Sequence, residues 1–359
     1  MTEFTPLSRD QLDAASDALA ISLGVPLRNP HPLASESTHT LADVVRTFGA
    51  HRRRPGQAAV ADFARGLGSS DFAEWLRLPL AEAVKISFMA GASHRPALAP
   101  VQVKNFRPTA FMAFTGGLAP DHREQPDDAP PPPPLPVVGT HGEITTARLA
   151  TGSGTVEAAL ATYGAQVTVS RALIRNDERG VIRHQIAPLG AQAAATEAHL
   201  LAAALAANPT LADSEPAFGP TNIVPCPLDR DGALDEVCRL LRIQRRPDGA
   251  YLNAALRFVL VAADQEVDAR RILRAAGMAD TVSVIASPWI EVGYWYGLAD
   301  PALAPCVVRL HLPGDPDNMA RVEMLSTPFE SDDAFAVRVV ADLGIAVVSR
   351  LGLIRGEPV

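Results

Sequence analysis

The chain has 359 residues, 47% of them hydrophobic and 20% charged, which is the composition of a folded globular protein and excludes a disordered tail. Its net charge of -8 argues against a dedicated nucleic-acid binder, because such proteins usually carry a strong basic excess. No stretch approaches the roughly 20 apolar residues of a membrane span, no signal peptide is visible, and the three scattered cysteines indicate reduced thiols in a cytosolic product.

The N-terminal part of the chain predicts short helices separated by loops. The capping-box spacing that begins at Ser8 predicts a helix that runs to Leu23. A proline-rich loop follows, and a second helix is predicted after Thr40. Asp71, with an acidic residue three positions on, predicts the start of a third helix that ends near Met89.

From Val101 the pattern becomes that of a long extended excursion. Residues 101–117 are strand-like, and residues 142–174 return as strands. Between them, residues 130–134 are five consecutive prolines, which impose an extended polyproline conformation. The sequence therefore predicts a strand that runs out, passes around a proline-rich tip and returns.

The second half of the chain predicts one long helix followed by alternating helices and strands. Residues 188–208 begin with a proline and continue as an Ala/Leu-rich surface without an interior glycine after Gly190, which favours a long helix. Asp231 is predicted to cap the next helix. The elements predicted beyond it are a buried strand at 256–263, a helix at 264–277, and strands at 281–287, 306–312, 335–343 and 345–351.

Sequence motifs of known chemistry are missing from the chain. It contains no Walker-type loop, no GxGxxG after a strand, no GxSxG and no HExxH. The glycines of Gly152-Ser153-Gly154 favour a flexible turn, and residues 313–319 resemble a calcium loop but lack its glycine and distal glutamate. We therefore predict no catalytic residue, no metal ligand and no cofactor.

A basic run at Arg52, Arg53 and Arg54 allows two interpretations. It is a candidate contact for DNA phosphates, because arginines bind phosphate independently of base sequence. A solvated helix end, where arginines satisfy the terminal carbonyls, explains the same residues.

The segment YGAQVTVSRALIRNDE, from Tyr163 to Glu178, resembles a segment of tailed-phage major capsid proteins, in particular the Mu-like major head subunit group. Glu178 stands where a second aspartate is usual. Ser69–Leu76, Val103–Pro108 and the C-terminal stretches 294–305 and 322–356 also resemble that family, in the same order along the chain. The matching motif residues are Tyr163, Gly164, Ser170, Arg171, Ile174, Asn176 and Asp177.

This resemblance implies an α+β fold of the Hong Kong 97 capsid type. In that fold, the strand that begins at Tyr163, together with its polar end at Ser170-Arg171 and Asn176-Asp177, forms a structural junction. The junction leads from the extended hairpin into the region of the long helix. The implied division is an N-terminal helical arm at 1–100, an extended hairpin loop with a Pro-rich tip at 101–162, a peripheral domain with the spine helix at 163–215, an axial domain at 216–305, and return strands at 306–359 that complete the peripheral and axial domains.

The function implied by the resemblance is structural rather than enzymatic. Many copies, as hexamers and pentamers, build an icosahedral shell that encloses double-stranded DNA of a tailed phage or prophage. The expected partners are the chain itself and packaged DNA bound non-specifically, with portal, scaffold or decoration proteins as candidates and no membrane. The implied location is the virion capsid, assembled in the bacterial host cytoplasm. Some members are fused to a prohead protease, and the roughly 40 residues before the matched region are too few for one.

Two other interpretations remain open from the sequence. The first is a shell of the same fold, either a gene-transfer particle or an encapsulin-type nanocompartment. The second belongs to a different class: an enzyme built on the βα segment 231–290. That segment offers no candidate nucleophile, base or cofactor loop.

Overall fold

The computed structural model describes residues 9–22, 25–36, 68–112, 118–119, 148–149, 155–170, 185–246, 250–315, 317–324 and 334–358. Its Cα positions fall into two compact units. Unit 1 consists of Met1–Ala92, Thr162–Thr196 and Asp317–Asp342, and unit 2 consists of Ser93–Ala161, Glu197–Pro316 and Leu343–Val359.

The described residues contain five α-helices and fifteen strands. The helices are α1 (Arg9–Ser22), α2 (Gly68–Gly91), α3 (Pro188–Ala206), α4 (Ala233–Ile243) and α5 (Glu266–Ala275). The strands are β1 (Ala99–Gln102), β2 (Thr109–Met112), β3 (Leu118–Ala119), β4 (Arg148–Leu149), β5 (Thr155–Ala158), β6 (Ala161–Ser170), β7 (Ile223–Val224), β8 (Leu256–Ala262), β9 (Ser283–Ser287), β10 (Trp295–Ala299), β11 (Val307–His311), β12 (Arg321–Met324), β13 (Ala334–Leu343), β14 (Ile345–Val347) and β15 (Leu353–Gly356).

Unit 1 contains the N-terminal helices. The predicted helix after Ser8 is confirmed as α1, which packs against α2. Leu80, Val84 and Phe88 recur every four residues along α2 and are buried, so they form its core-facing stripe. The prediction that Asp71 starts this helix is wrong, because α2 begins three residues earlier at Gly68. The helix predicted after Thr40 lies outside the described residues.

Unit 1 also contains a three-stranded sheet in the order β12-β13-β6. Strands β12 and β13 pair antiparallel, with Arg321 opposite Val340 and Met324 opposite Val337. Val337, Val339 and Val340 of β13 are buried, as expected for the central strand of a sheet.

In unit 2, a hairpin confirms the predicted excursion at its base. Strand β2 pairs antiparallel with β5, with Thr109 opposite Ala158, and β3 pairs antiparallel with β4, with Leu118 opposite Leu149. Both pairings share one register. Leu118 lies nine residues after Thr109, and its partner Leu149 lies nine residues before Ala158, the partner of Thr109. The midpoint of the intervening chain therefore falls in the proline run 130–134, which lies outside the described residues.

The main sheet of unit 2 has five strands in the order β7-β15-β10-β8-β9 and is covered on both faces. Phe258 and Leu260 of β8 belong to the same apolar cluster as Leu201 and Leu205 of α3. The alternate residues of β8 belong to a second cluster with the apolar residues of α4 and α5. This alternation explains why the strand is a continuous apolar run in the sequence.

A smaller sheet of unit 2 joins distant parts of the chain in the order β1-β11-β14. Strand β1 runs parallel to β11, with Ala99 opposite Val308, and β11 runs antiparallel to β14. The strand predicted at 306–312 is thus confirmed as β11, and the one predicted at 345–351 is confirmed over Ile345–Val347 as β14; the structure pairs the two in one sheet.

The start of α4 corrects another predicted helix cap. Asp231 is not the cap, because the residue before the helix is Gly232, whose backbone adopts the left-handed conformation at φ 84°. No side chain caps this helix end. A left-handed residue at this position favours glycine, which carries no Cβ.

Candidate functional site

The shared motif is only partly within the described residues. Tyr163 and Gly164 lie near the start of β6, and Ser170 is its last residue. Arg171, Asn176 and Asp177 lie outside the described residues, as do Arg52, Arg53 and Arg54. The structure therefore places three of the predicted motif residues on one strand of the unit 1 sheet.

Gly164 sits where β6 and β13 approach closely. A Cβ atom at this position would lie 2.9 Å from Cγ1 of Val340 and 3.0 Å from the carbonyl oxygen of Val339. Any larger residue must push the strands apart or displace the valine. The motif glycine therefore has a packing role in the sheet.

Asp342, at the end of β13, links all three strands of this sheet. Its side chain is only 3% exposed, and it accepts hydrogen bonds from Oγ1 of Thr162 on β6 at 2.7 Å and from Nη2 of Arg321 on β12 at 2.8 Å. A buried carboxylate is stable only when such partners replace its lost hydration. Asp342 therefore fixes the edge strands against the central one.

A second buried carboxylate, Glu197, lies on α3 in unit 2. Its side chain is 1% exposed, and its Oε2 atom lies 3.0 Å from Nε2 of His94. Arg95 donates from Nε to Oε2 at 2.6 Å and from Nη2 to Oε1 at 3.0 Å, which is the bidentate geometry of a strong ion pair. We refer to His94, Arg95 and Glu197 as the Glu197 cluster.

The electrostatics of the Glu197 cluster favour the charged carboxylate. Burial raises the pKa of Glu197, but the hydrogen bonds from His94 and Arg95 and their charges outweigh it and hold the pKa below its usual range. The cluster joins the long helix to the segment that leads directly into β1. Its expected effect is structural, since it fixes α3 to the chain before the hairpin.

No sequence pattern brings the Glu197 cluster together, because Glu197 lies more than 100 residues along the chain from the adjacent His94 and Arg95. One signal was available. Glu197 is the only Asp, Glu, Lys or Arg in the Ala/Leu-rich helix Pro188–Ala206, and a lone carboxylate on an apolar helix predicts a buried basic partner.

The chemistry available in the described residues is limited. They contain no group of three or more His, Cys, Asp or Glu side chains that could hold a metal ion. Burial raises the pKa of Cys306 to about 12, so its thiol stays protonated at neutral pH and is a poor nucleophile. No helix among the described residues is long and apolar enough to span a bilayer.

In the βα segment 231–290, which allowed the enzyme interpretation, the polar side chain at the sheet edge has a structural role. Strands β8 and β9 are parallel, so their carboxyl ends, at Ala262 and Ser287, meet at the same sheet edge. Ser287 is buried, and its Oγ accepts a hydrogen bond from the backbone nitrogen of Trp289 at 3.4 Å. Its hydroxyl therefore stabilises the turn after β9.

Comparison with protein families adds the deciding observation. A family model described as phage capsid protein matches residues 153–356, from just before β5 to the last residue of β15. The match covers more than half of the chain. This chain belongs to the phage capsid protein family. The capsid protein is therefore a shell-forming structural subunit, and its mixed helices and strands confirm the predicted α+β class.

Several solved structures are similar to the capsid protein. A virus-like particle from Pyrococcus furiosus has 10% identity and a TM-score of 0.47 over 79% of this chain and 99% of its own. A phage-related protein from Bordetella bronchiseptica RB50 has 12% identity and a TM-score of 0.45 over 77% and 95%. The SrpI encapsulin from Synechococcus elongatus PCC 7942 has 16% identity and a TM-score of 0.38 over 58% and 77%. No curated protein sequence matches the chain significantly.

Proposed function

We propose that many copies of this capsid protein form the hexamers and pentamers of an icosahedral head of a tailed phage or prophage, around double-stranded DNA. The family match over residues 153–356 is the observation that supports the proposal most strongly. A closed shell requires head-to-tail contacts, in which one surface of a subunit binds a different surface of the next and the rotation closes into a ring.

The hairpin of unit 2 supports this kind of contact. Val156 is buried at its base, whereas Ala110, Thr155 and Glu157 are exposed. A two-stranded ribbon is only marginally stable in water without further partners. Neighbouring subunits are the natural source of those partners in a shell.

The finer assignments are part of the same proposal. The match of Tyr163, Gly164 and Ser170 to the shared motif supports membership of the Mu-like group. We assign the helical arm, hairpin, peripheral and axial regions to the segments predicted from the sequence. Assembly takes place in the host cytoplasm, and portal, scaffold or decoration proteins are the candidate additional partners.

The contents of purified particles test the proposal against its alternatives. Particles are isolated from producing cells, and their nucleic acid is sequenced. Encapsidated phage genome supports the proposal. Random host DNA indicates a gene-transfer particle, and an enzyme cargo without DNA indicates a nanocompartment.

The basic run at Arg52, Arg53 and Arg54 is proposed as a non-specific contact with packaged DNA. Replacing all three with glutamine is expected to lower the DNA content per particle. The DNA content should also change less with salt concentration than in the wild type, because each arginine displaces counterions from the phosphates. The measurement is the ratio of nucleic-acid absorbance to protein absorbance of purified particles, taken at two salt concentrations. Unchanged DNA content leaves these residues with the role of a solvated helix end.

We predict that the shell contains no covalent links between subunits. Some relatives of this fold join a lysine to an asparagine across subunits, and that chemistry needs a lysine on the hairpin. The chain has none between Phe106 and Arg171, and the nearest lysine is Lys104 at the base. Wild-type particles boiled in detergent with reductant should give one monomer band; a ladder of multimers contradicts the prediction.

A further inference from the structure

Helix α2 carries a second row of apolar side chains, on the face opposite to its core-facing stripe. Leu78 and Met89 are 52% and 53% exposed, and Ile86, between them, is 39% exposed. Single exposed apolar side chains are normal on a protein surface, but a row of them on one helix face marks a surface for docking. The helix already packs against α1 and β12 within unit 1, so this outer row needs a different explanation.

The spacing along this outer face is that of a paired helix. Leu78, Glu82, Lys85 and Met89 follow one another at intervals of four, three and four residues. These are the intervals of the a and d positions of a coiled coil, and they place all four side chains along one side of the helix. We refer to these four residues as the α2 seam.

The two middle positions of the α2 seam carry opposite charges. Glu82 and Lys85 are both exposed, and within the part of the chain that the structure describes neither has an ion pair or a hydrogen bond. Charged side chains with no partner in their own subunit are available to a neighbouring one.

The α2 seam is self-complementary when two copies of the helix lie antiparallel. The outer pair, Leu78 and Met89, has the same midpoint as the inner pair, Glu82 and Lys85. A two-fold axis through that midpoint sets Leu78 against Met89 of the partner subunit and Glu82 against Lys85 of the partner subunit. A parallel pair would instead set each charge against its own kind, so the charges select the antiparallel orientation.

The third exposed apolar residue fits the same arrangement. Ile86 follows Lys85 in the chain and therefore flanks the seam on one side. In an antiparallel pair, the two-fold axis brings both copies of Ile86 to the same flank, where they extend the apolar contact beside the charged layers.

We infer that α2 pairs antiparallel with α2 of a second copy of this chain, through the α2 seam. The inference rests on the proposed shell, because an icosahedral shell has two-fold axes besides the axes of its rings, and a two-fold axis requires the same patch on both subunits. The seam is about 16 Å long at 1.5 Å per residue, so one helix pair is weak by itself. In a shell it is stabilised by the many contacts that link the same subunits.

A cysteine pair tests the antiparallel register in assembled particles. The full-length double variant Leu78→Cys with Met89→Cys is assembled and oxidised, and the products are separated in detergent without reductant. The two positions are about 16 Å apart on one helix, beyond the roughly 7 Å that a disulfide spans, so no bond can form within one copy. The expected product is a covalent dimer that reductant removes. If the double variant stays monomeric, the inference is overturned.

The single variants Leu78→Cys and Met89→Cys are the controls for the register. Antiparallel copies hold like positions far apart, so each single variant should give only the monomer, as should the wild type. A dimer from either single variant shows that this face lies against a parallel copy or a different surface, and it overturns the assigned register.

A charge exchange between two chains gives a second test. Adding Glu82→Lys or Lys85→Glu to the cysteine pair sets like charges opposite each other and should reduce the dimer about tenfold. Particles assembled from a mixture of the two charge variants should recover the dimer, with one chain of each kind in it. Such recovery cannot come from a contact within one helix. An unchanged dimer in the separate variants contradicts the charge pairing.

Arg274→Glu is the matched control for the charge variants. It makes the same change from a positive to a negative side chain as Lys85→Glu, at an exposed position near the end of α5. Added to the cysteine pair, it should leave the amount of dimer unchanged.

Failure of the proposed shell and failure of the α2 contact give different results. Wild-type protein that forms no particles overturns the proposed shell itself. Particles that form normally but give no dimer from the cysteine pair overturn only the α2 contact. If the cysteine variant does not assemble, particle yield decides: Glu82→Lys and Lys85→Glu should each lower the yield, and their mixture should restore it. Equal yields overturn the contact.

Discussion

Replacing Glu197 with alanine is expected to lower the free energy of unfolding by about 3–5 kcal/mol, the cost of removing one partner from a buried ion pair. The substitution leaves His94 and the largely buried Arg95 guanidinium without the carboxylate that they contact at 3.0 and 2.6 Å. The measurement is urea unfolding of unassembled subunits, with tryptophan fluorescence as the signal that reports unfolding.

Glu266→Ala is the matched control for this variant. Glu266 also pairs with an arginine, Arg270, at 2.7 Å, but both side chains are substantially exposed. Exposed helical pairs of this kind stabilise proteins by about 0.3–0.5 kcal/mol. Equal losses in the two variants would mean that the Glu197 cluster contributes no more than a surface pair.

The Glu197 cluster also predicts a pH dependence with a defined sign. The pKa of Glu197 is lowered in the folded protein from its ordinary value of 4.5. Its stabilising contribution is therefore complete above pH 4.5 and is lost as the pH falls through the lower folded-state pKa. The stability difference between wild type and Glu197→Ala should shrink as the pH is lowered below 4.5. A difference that stays constant as the pH is lowered from 4.5 through the acid range contradicts the assigned ionisation.

Replacing Gly190 with alanine is expected to destabilise unit 1 by about 1–3 kcal/mol, near the upper end of that range. A Cβ at this position would lie 2.0 Å from the carbonyl oxygen of Val84 and 2.9 Å from the backbone nitrogen of Phe88. Both atoms belong to the backbone of α2, which cannot turn aside as a flexible side chain can. The start of α3 must therefore move away from α2.

Gly219→Ala is the control for this substitution, since a Cβ there has no heavy atom within 4 Å. Its free energy of unfolding in urea should remain within about 0.5 kcal/mol of the wild-type value. If both variants unfold at the same urea concentration, the close approach of α3 to α2 at Gly190 is wrong.

The elements that were predicted correctly are those specified by local chemistry. The capping-box spacing at Ser8 and the Ala/Leu-rich surface after Pro188 predicted α1 and α3, because helix propensity and capping act within a few residues. Asp231 was wrongly predicted as a cap because acidic caps and left-handed glycines both precede helices. The choice of Gly232 depends on a backbone angle that the residue types alone do not specify.

The contacts that hold these elements together depend on residues far apart in the chain. Strand β1 pairs with β11 more than 200 residues later, and no periodicity indicates such a partner. The motif identified Gly164, whose tight packing on β13 gives it a physical role. It did not indicate Asp342 or Glu197, because a buried carboxylate is recognised only through the donors that surround it.

The size and shape of the expressed wild-type protein are the most direct test of shell formation. Full-length chain is purified and examined by electron microscopy and by light scattering after size-exclusion chromatography. A shell-forming capsid protein predicts closed particles of uniform diameter that contain many copies of the 38.0 kDa chain. A single monodisperse species with the mass of one chain, under conditions where related shells assemble, contradicts shell formation by this protein.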